Sequence, residues 1–304
     1  MKPKSALTAA ILTLPTLLFA AGPARAAAGP AAASPPVCTS SSHPALAARI
    51  SQAIRTARQD RVSFTAVEVD DPSAGLLCRF HATSHFDSAS VVKVMILAAL
   101  LRKAQAEHRA LTRTERALAW AMITESDNDA ASALWADTGR TSLRRFLARA
   151  GMTHTVLGPG GTWGLTRITA DDETRLLWLL LKANRVLNTS SRHYALSLMA
   201  KVTPSQRWGV PAGAPQSLVV HVKNGWLPLA PYGWRINSIG AFTGDGQRYS
   251  IVVLTQGNPT MDYGVDTVEA IARAVNRALN PGTIARVRPA EISPAQETPD
   301  EPIP

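Results

Sequence analysis

Ser90-Val91-Val92-Lys93-Val94-Met95-Ile96-Leu97-Ala98-Ala99-Leu100-Leu101 is an apolar run interrupted by one hydroxyl and one amine. Residues three apart in a helix share a face, so a helix beginning at Ser90 sets Lys93 one turn on, along the same side. A helix that is apolar all round belongs inside a core. At a helix start, Ser90 has unsatisfied backbone N–H groups and the positive end of the helix dipole beside it, a setting that can hold an oxyanion. Burial among Val92, Val94, Met95 and Ile96 lowers a lysine pKa, which lets the amine take a serine proton near pH 7. Arginine cannot do this. Taken alone, the same four residues also describe a helix N-cap followed by a lysine that snorkels to the surface.

The segments around this run have an uneven grammar. Pro44 to about Asp60 places Leu46, Ile50 and Ile54 at helical spacing. Two strand-like runs follow, VSFTAVEVD and LLCRFHA, joined by the turn-forming Asp71-Pro72-Ser73-Ala74-Gly75. From Ser90 to about Ala200 nearly every segment is helical. Strands resume in SLVVHVKNG, WRINSIGAFTG and YSIVVLTQGN, the last two joined by a hairpin at Gly244-Asp245-Gly246, and a last helix spans about Asp266 to Leu279. Strands drawn from both ends of the chain force those ends together. The expected fold is therefore α/β (α+β) and two-lobed. A five-stranded, mainly antiparallel sheet with flanking terminal helices (44–89 and 208–280) is interrupted by an all-α lobe (90–207), with a cleft at the seam.

The ends read differently. Lys2 and Lys4, an apolar stretch from Ala6 to about Ala21, and Ala24-Arg25-Ala26 predict a signal peptide over 1–26 and an exported, extracytoplasmic protein. Residues 27–43 read as an Ala/Pro/Ser linker and 281–304 as a disordered, proline-rich acidic tail. The formal charge of +10 is spread out, with no block of basic residues interleaved with aromatics, so nucleic acid is not an expected partner. No membrane span is expected, and a monomer is. Cys38 and Cys78 either pair, as export favours, or remain two separate thiols. No metal or other cofactor is expected: His81 and His85 lie four apart in a polar loop without the glutamate of a zinc motif.

Two further motifs join the first. Ser126-Asp127-Asn128 lies between helical runs and Lys223-Asn224-Gly225 closes a strand. Each has an ordinary reading, as a helix cap or a strand end. In this order, however, the three resemble the SxxK, SDN and KTG set of class A β-lactamases and penicillin-binding proteins. FDSASVVKVMILAALL, AMITESDNDAASALW and the strands after Lys223 extend the likeness through most of the core.

The resemblance implies a serine hydrolase working through an acyl-serine on a β-lactam or a cell-wall peptide. Ser90 would be the nucleophile and Lys93 its base or proton shuttle. Ser126 would pass a proton to the departing nitrogen with help from Lys223. Asn128 would hold the substrate amide, and Asn224 and Gly225 would line the site. The N–H groups of Ser90 and Trp226 would form the oxyanion hole, and Arg235 would hold a substrate carboxylate.

The sequence also departs from the pattern. The loop MTHTVLGPGGTWGLTRITA contains no acidic residue, where class A enzymes keep the ExxLN glutamate that frees the acyl-enzyme. Asp171, Asp172 and Glu173 read as first-turn acids of a helix capped by Thr169, and Glu125 as an exposed or locally paired acid. Asn224 replaces the usual hydroxyl residue. Trp163, Trp226 and Trp234 either narrow the cleft or pack the seam. Three functions stay open: a β-lactamase-type hydrolase with slow deacylation, a penicillin-binding or D-Ala-D-Ala peptidase-like acyl enzyme, and a non-catalytic envelope binding module.

Overall fold

A computed structural model describes residues 37–57, 63–228 and 233–286. Within them an antiparallel six-stranded sheet runs in the order β1-β3-β2-β8-β7-β6. Its strands are β1 (Cys38–Ser40), β2 (Phe64–Asp71), β3 (Leu76–Phe80), β6 (Val219–Pro228), β7 (Trp234–Gly244) and β8 (Gln247–Asn258). A separate two-stranded ribbon pairs β4 (Phe86–Asp87) with β5 (Arg167–Ile168).

The sheet has one strand more than expected, and the extra strand lies in the segment read as linker. β1 pairs with β3 in the register Cys38↔Cys78, and a disulfide joins those residues. Three residues between prolines and serines carry too little periodicity to be recognised as a strand. Two other boundaries are corrected. The stretch read as tail begins ordered: the Gln216 N–H donates to Ile284 O (3.0 Å) and the Arg286 N–H to Ala214 O (2.7 Å). The last helix, α8 (Met261–Leu279), starts at Met261 rather than near Asp266, capped by the Thr260 hydroxyl. The proposed signal peptide lies outside the described residues. No helix among the described residues is long and apolar enough to cross a membrane.

Side chains alternate across a strand, so the sheet divides the apolar residues into two layers. Val67, Val69, Ile251 and Val253 face a layer built with α1 (Pro44–Thr56) and α8. Ala66, Ile239, Ala241, Val252 and Leu254 face the helical layer. That layer contains α2 (Val92–Ala106), α3 (Arg113–Trp120), α4 (Asn128–Thr138), α5 (Arg140–Ala150), α6 (Ala170–Leu181) and α7 (Thr189–Met199). Every residue from Val92 to Leu101 in α2 is buried, Lys93 included. Each large aliphatic side chain so buried contributes about 1.5–3 kcal/mol, which fixes α2 as the centre of that layer. Position 90 thereby falls where helices and sheet meet.

Candidate active site

Ser90 lies in a single 3-10 turn, Ala89–Val91, that feeds α2, rather than in the α-helix itself. Ala89 has φ +45, a left-handed conformation that costs a non-glycine residue about 1–3 kcal/mol and persists only where surroundings enforce it. Here they do. The Asn237 carboxamide donates to Asp87 O (2.9 Å) and Ser88 O (3.2 Å), while the Ser88 N–H donates to Thr166 O (2.9 Å). On the sheet side, Gly225 of β6 lies so close that a Cβ there would sit 2.7 Å from Ser90 N and 2.8 Å from Ser88 O and Val91 N. Only glycine allows this contact.

Ser126 is held in a second special conformation. α3 runs into a π-helical turn, Ala121–Glu125, and Ser126 ends it at φ 62. Such turns collect at functional sites because they re-aim the residue that follows. Asp127 then caps α4, its carboxylate accepting the Ala130 N–H at 2.6 Å. The SDN triplet is thus a helix cap and something more.

Three polar groups converge there. Lys93 Nζ donates to Ser126 O (2.7 Å), Ser126 Oγ (3.1 Å) and Asn128 Oδ1 (2.7 Å). Lys223 Nζ donates to the same Ser126 Oγ (2.8 Å) and to Asn224 O (3.0 Å). Ser90, Lys93 and Lys223 are fully buried and Ser126 nearly so. A hydroxyl has two lone pairs and one hydrogen. With two amines on its acceptor side, the Ser126 hydroxyl still carries one hydrogen to donate.

Other expected residues take different places. Asn224 and Trp226 alternate with Lys223 and Gly225 and point to the far face of the sheet. The Asn224 amide donates to Gln206 O (2.8 Å) and Trp208 O (2.9 Å) and accepts from Ser238 Oγ (2.6 Å). Its side chain therefore braces a loop instead of lining the Ser90 face. Trp226 packs against Trp208, ring centroids 5.8 Å apart, in the layer of α1 and α8, so its side chain does not line the Ser90 face. Trp234 packs against the same layer.

Arg235 pairs with Asp87 at 3.0 Å, donates to Gly233 O at 3.0 Å, and lines a cavity of about 520 Å³ together with Phe64, His85, Arg167 and Gln256. Ser90 does not line that cavity.

The Trp163 ring lies 4.7 Å from Lys93 Nζ and its Nε1–H donates to Ser132 Oγ (3.0 Å). The loop that lacks a glutamate thus lays an indole over the candidate base. Asp171, Asp172 and Glu173 form the first turn of α6, where the Thr169 hydroxyl accepts the Asp172 N–H. Glu173 is fully buried without a hydrogen-bond partner, and burial, with Asp172 beside it, holds its carboxyl well above the usual range. Glu125 is exposed. Sequence reasoning missed Asn237 and Asp87, which fix the Ser90 turn and the Arg235 guanidinium from 148 or more residues away.

Known proteins share this architecture. A class A β-lactamase of Bacteroides cellulosilyticus superposes with TM-score 0.67 at 19% identity, over 76% of this chain and 97% of that one. TLA-3 extended-spectrum β-lactamase gives 0.68 at 17%, over 76% and 98%, and PBP-A gives 0.67 at 19%, over 76% and 95%. At such identities the likeness is one of fold. In sequence, the candidate lipoprotein LppW of Mycobacterium tuberculosis and of Mycobacterium bovis is 30% identical over 196 residues, 62% of this chain and 62% of its own length. The match thus spans less than two thirds of these relatives. The model of the Beta-lactamase enzyme family matches residues 45–116 and 110–279. With that match over most of its length, the chain belongs to the Beta-lactamase enzyme family.

Proposed function

We propose that this protein is a serine acyl enzyme that opens a β-lactam or a related amide through an acyl-Ser90 intermediate and releases the acyl group slowly. The observation that carries the reading is the Ser126 hydroxyl held between Lys223 Nζ (2.8 Å) and the Nζ of Lys93 (3.1 Å), the lysine one turn on from Ser90. A second positive charge is disfavoured where two buried amines share one oxygen, so in the reactive state Lys93 gives up one of its hydrogens and then takes the Ser90 proton as Oγ attacks the carbonyl carbon. The N–H groups of Ser90 and Trp226 stabilise the oxyanion. As the C–N bond breaks, Ser126 gives its hydrogen to the departing nitrogen and is reprotonated through the lysines. Asn128 orients the substrate amide. Arg235 receives a substrate carboxylate only by exchanging it for Asp87.

Trp163 supports the penicillin-binding variant of this reading. An indole over Lys93 keeps water from the acylated serine, and no acid in residues 152–170 is present to activate one. Lacking a positioned base typically forfeits about 10² to 10⁴ in rate. Ser90 has no exposed surface, so substrate reaches it only once surrounding residues move aside. An extracytoplasmic location is supported by the Cys38–Cys78 disulfide, which persists in oxidising compartments, by the signal-like N-terminal sequence, and by relatives designated lipoproteins.

The test is to mix the protein with penicillin G and a chromogenic cephalosporin and to follow intact mass and hydrolysis together. A persistent single adduct on Ser90, absent in Ser90→Ala, is expected. Fast steady hydrolysis would favour a true β-lactamase. No adduct with these compounds, or with peptide and ester substrates, would leave the binding-module reading.

A further inference from the structure

We propose that His154, Asp171 and Asp172 form a binding site for a first-row divalent cation of the zinc type, at the root of the loop that carries Trp163. One ligand atom from each lies within 4.8 Å of the others. His154 Nδ1 is 3.6 Å from Asp172 Oδ1 and 4.0 Å from Asp171 Oδ2. Both His154 Nδ1 and Asp172 Oδ1 are buried atoms without a hydrogen-bond partner, and Asp172 as a residue has no exposed surface. The second Asp172 oxygen accepts the His154 N–H (3.0 Å) and the Thr155 hydroxyl (2.7 Å). That pair of bonds holds the carboxylate with its orphaned oxygen toward the imidazole. An unsatisfied buried oxygen of this kind is costly, and a cation between the two atoms removes the cost.

The distances suit an ion better than a hydrogen bond, which requires about 2.7–3.2 Å. Around a tetrahedral ion with ligands at about 2.0–2.1 Å, neighbouring ligand atoms lie about 3.3 Å apart. The site reaches that spacing by closing about 0.3 Å between His154 and Asp172, about 0.7 Å between His154 and Asp171, and up to about 1.5 Å between the farthest ligand atoms. One imidazole nitrogen with two carboxylate oxygens is a donor set for zinc and its neighbours and leaves a fourth position for water. Asp171 contributes Oδ2, which now accepts from Arg175 (3.1 Å), a side chain 51% exposed and able to turn into water; its Oδ1 stays on Arg79 at 2.9 Å and orients the carboxylate. Glu68 and Glu173 are further buried acids in electrostatic reach of the aspartates. His154 is 42% exposed and offers the way in. The sequence gives no hint of the site, because His154 stands apart from an acid pair that reads as helix-start residues. Its occupation would tie His154 to the first turn of α6 and so fasten the segment whose indole covers Lys93.

The test uses the whole protein, freed of metal with EDTA and titrated with Zn²⁺ by calorimetry. Binding of one equivalent is expected, accompanied by a rise in Tm. Co²⁺ should give a visible absorption band that Zn²⁺ displaces. His154→Gln, at a half-exposed position that leaves the fold intact, should weaken Zn²⁺ binding at least tenfold and abolish the band. Asp172→Asn should do the same, and Arg175→Ala should keep or tighten binding. Failure of the wild type to take up Zn²⁺ at about 1 mM, or uptake that His154→Gln leaves unchanged, overturns the proposal and leaves His154 as a neighbour of the two aspartates only.

Discussion

Gly225→Ala would probe the contact on which the candidate site depends. An alanine Cβ at this position meets Ser90 N at 2.7 Å, Ser88 O at 2.8 Å and Val91 N at 2.8 Å. Ordinary contact needs about 3.4 Å or more, so strand and turn must part by about 0.6 Å, and all three obstacles are backbone atoms that no side-chain rotation can move aside. The turn is pinned by Asn237 and Thr166 and the strand by its ladder to β7. Overpacking of this kind typically costs about 1–3 kcal/mol of stability. The displaced atoms include the amide of Ser90, the proposed nucleophile. A shift of this size in a reacting constellation should therefore lower acylation by about 10- to 100-fold. The assay is the second-order rate constant for labelling Ser90 with a fluorescent penicillin, beside a thermal melt. Gly161→Ala is the control, since a Cβ there meets nothing within 4 Å. A folded Gly225→Ala protein that labels within twofold of wild type would refute the placement of Ser90 against β6.

Three other outcomes are expected. Asn224→Ala removes a carboxamide that bonds Gln206 O, Trp208 O and Ser238 Oγ. It should cost about 3 kcal/mol in denaturant unfolding while the folded fraction labels at a near-normal rate; a large labelling defect in well-folded protein would return Asn224 to the substrate.

Glu115 accepts two bonds from Arg109 (both 2.8 Å) and completes a capping box with Thr112, and those Arg109 bonds lower its pKa to about 2. A depressed folded-state pKa gives stability that is present above about 4.5 and lost as pH falls toward about 2. Glu115→Gln should thus lie about 1–2 kcal/mol below wild type at pH 6, after allowance for solvent screening, with the gap closing by pH 2.5 in thermal melts; a pH-independent gap would count against the ion pair.

The Cys38–Cys78 disulfide spans 40 residues. Reduction should therefore lower unfolding free energy by about 4 kcal/mol on loop-entropy grounds, read by urea unfolding with and without reductant. Superimposable curves would contradict that estimate.

The uniform apolarity of α2, the strand runs of β7 and β8 and the caps at Thr169 and in Ser126-Asp127-Asn128 could be read in advance, because each depends on neighbours a few residues away. So could the order of SVVK, SDN and KNG. The orientation of Asn224 was available too, since period-2 alternation sends positions 224 and 226 away from the face of 223 and 225. β1 was not legible: three residues become a strand only because β3 offers an edge and Cys78 a sulfur. Nor was the Arg235–Asp87 pair, whose members are 148 residues apart.

The sequence by itself determined which chemistry is stocked: a serine and a lysine one turn apart in a helix that must be buried, a second serine at a helix cap, and a lysine at a strand end. Tertiary structure decided how that stock is arranged. It set the Ser126 hydroxyl between two amines, drew Asn224 and Arg235 into internal partnerships, and laid Trp163, from a loop without an acidic residue, over Lys93. The physical reason is range. Helix, strand and cap are settled by backbone bonds within a few residues, whereas a hydrogen bond between positions 126 and 223 exists only once the whole sheet has closed on the helices.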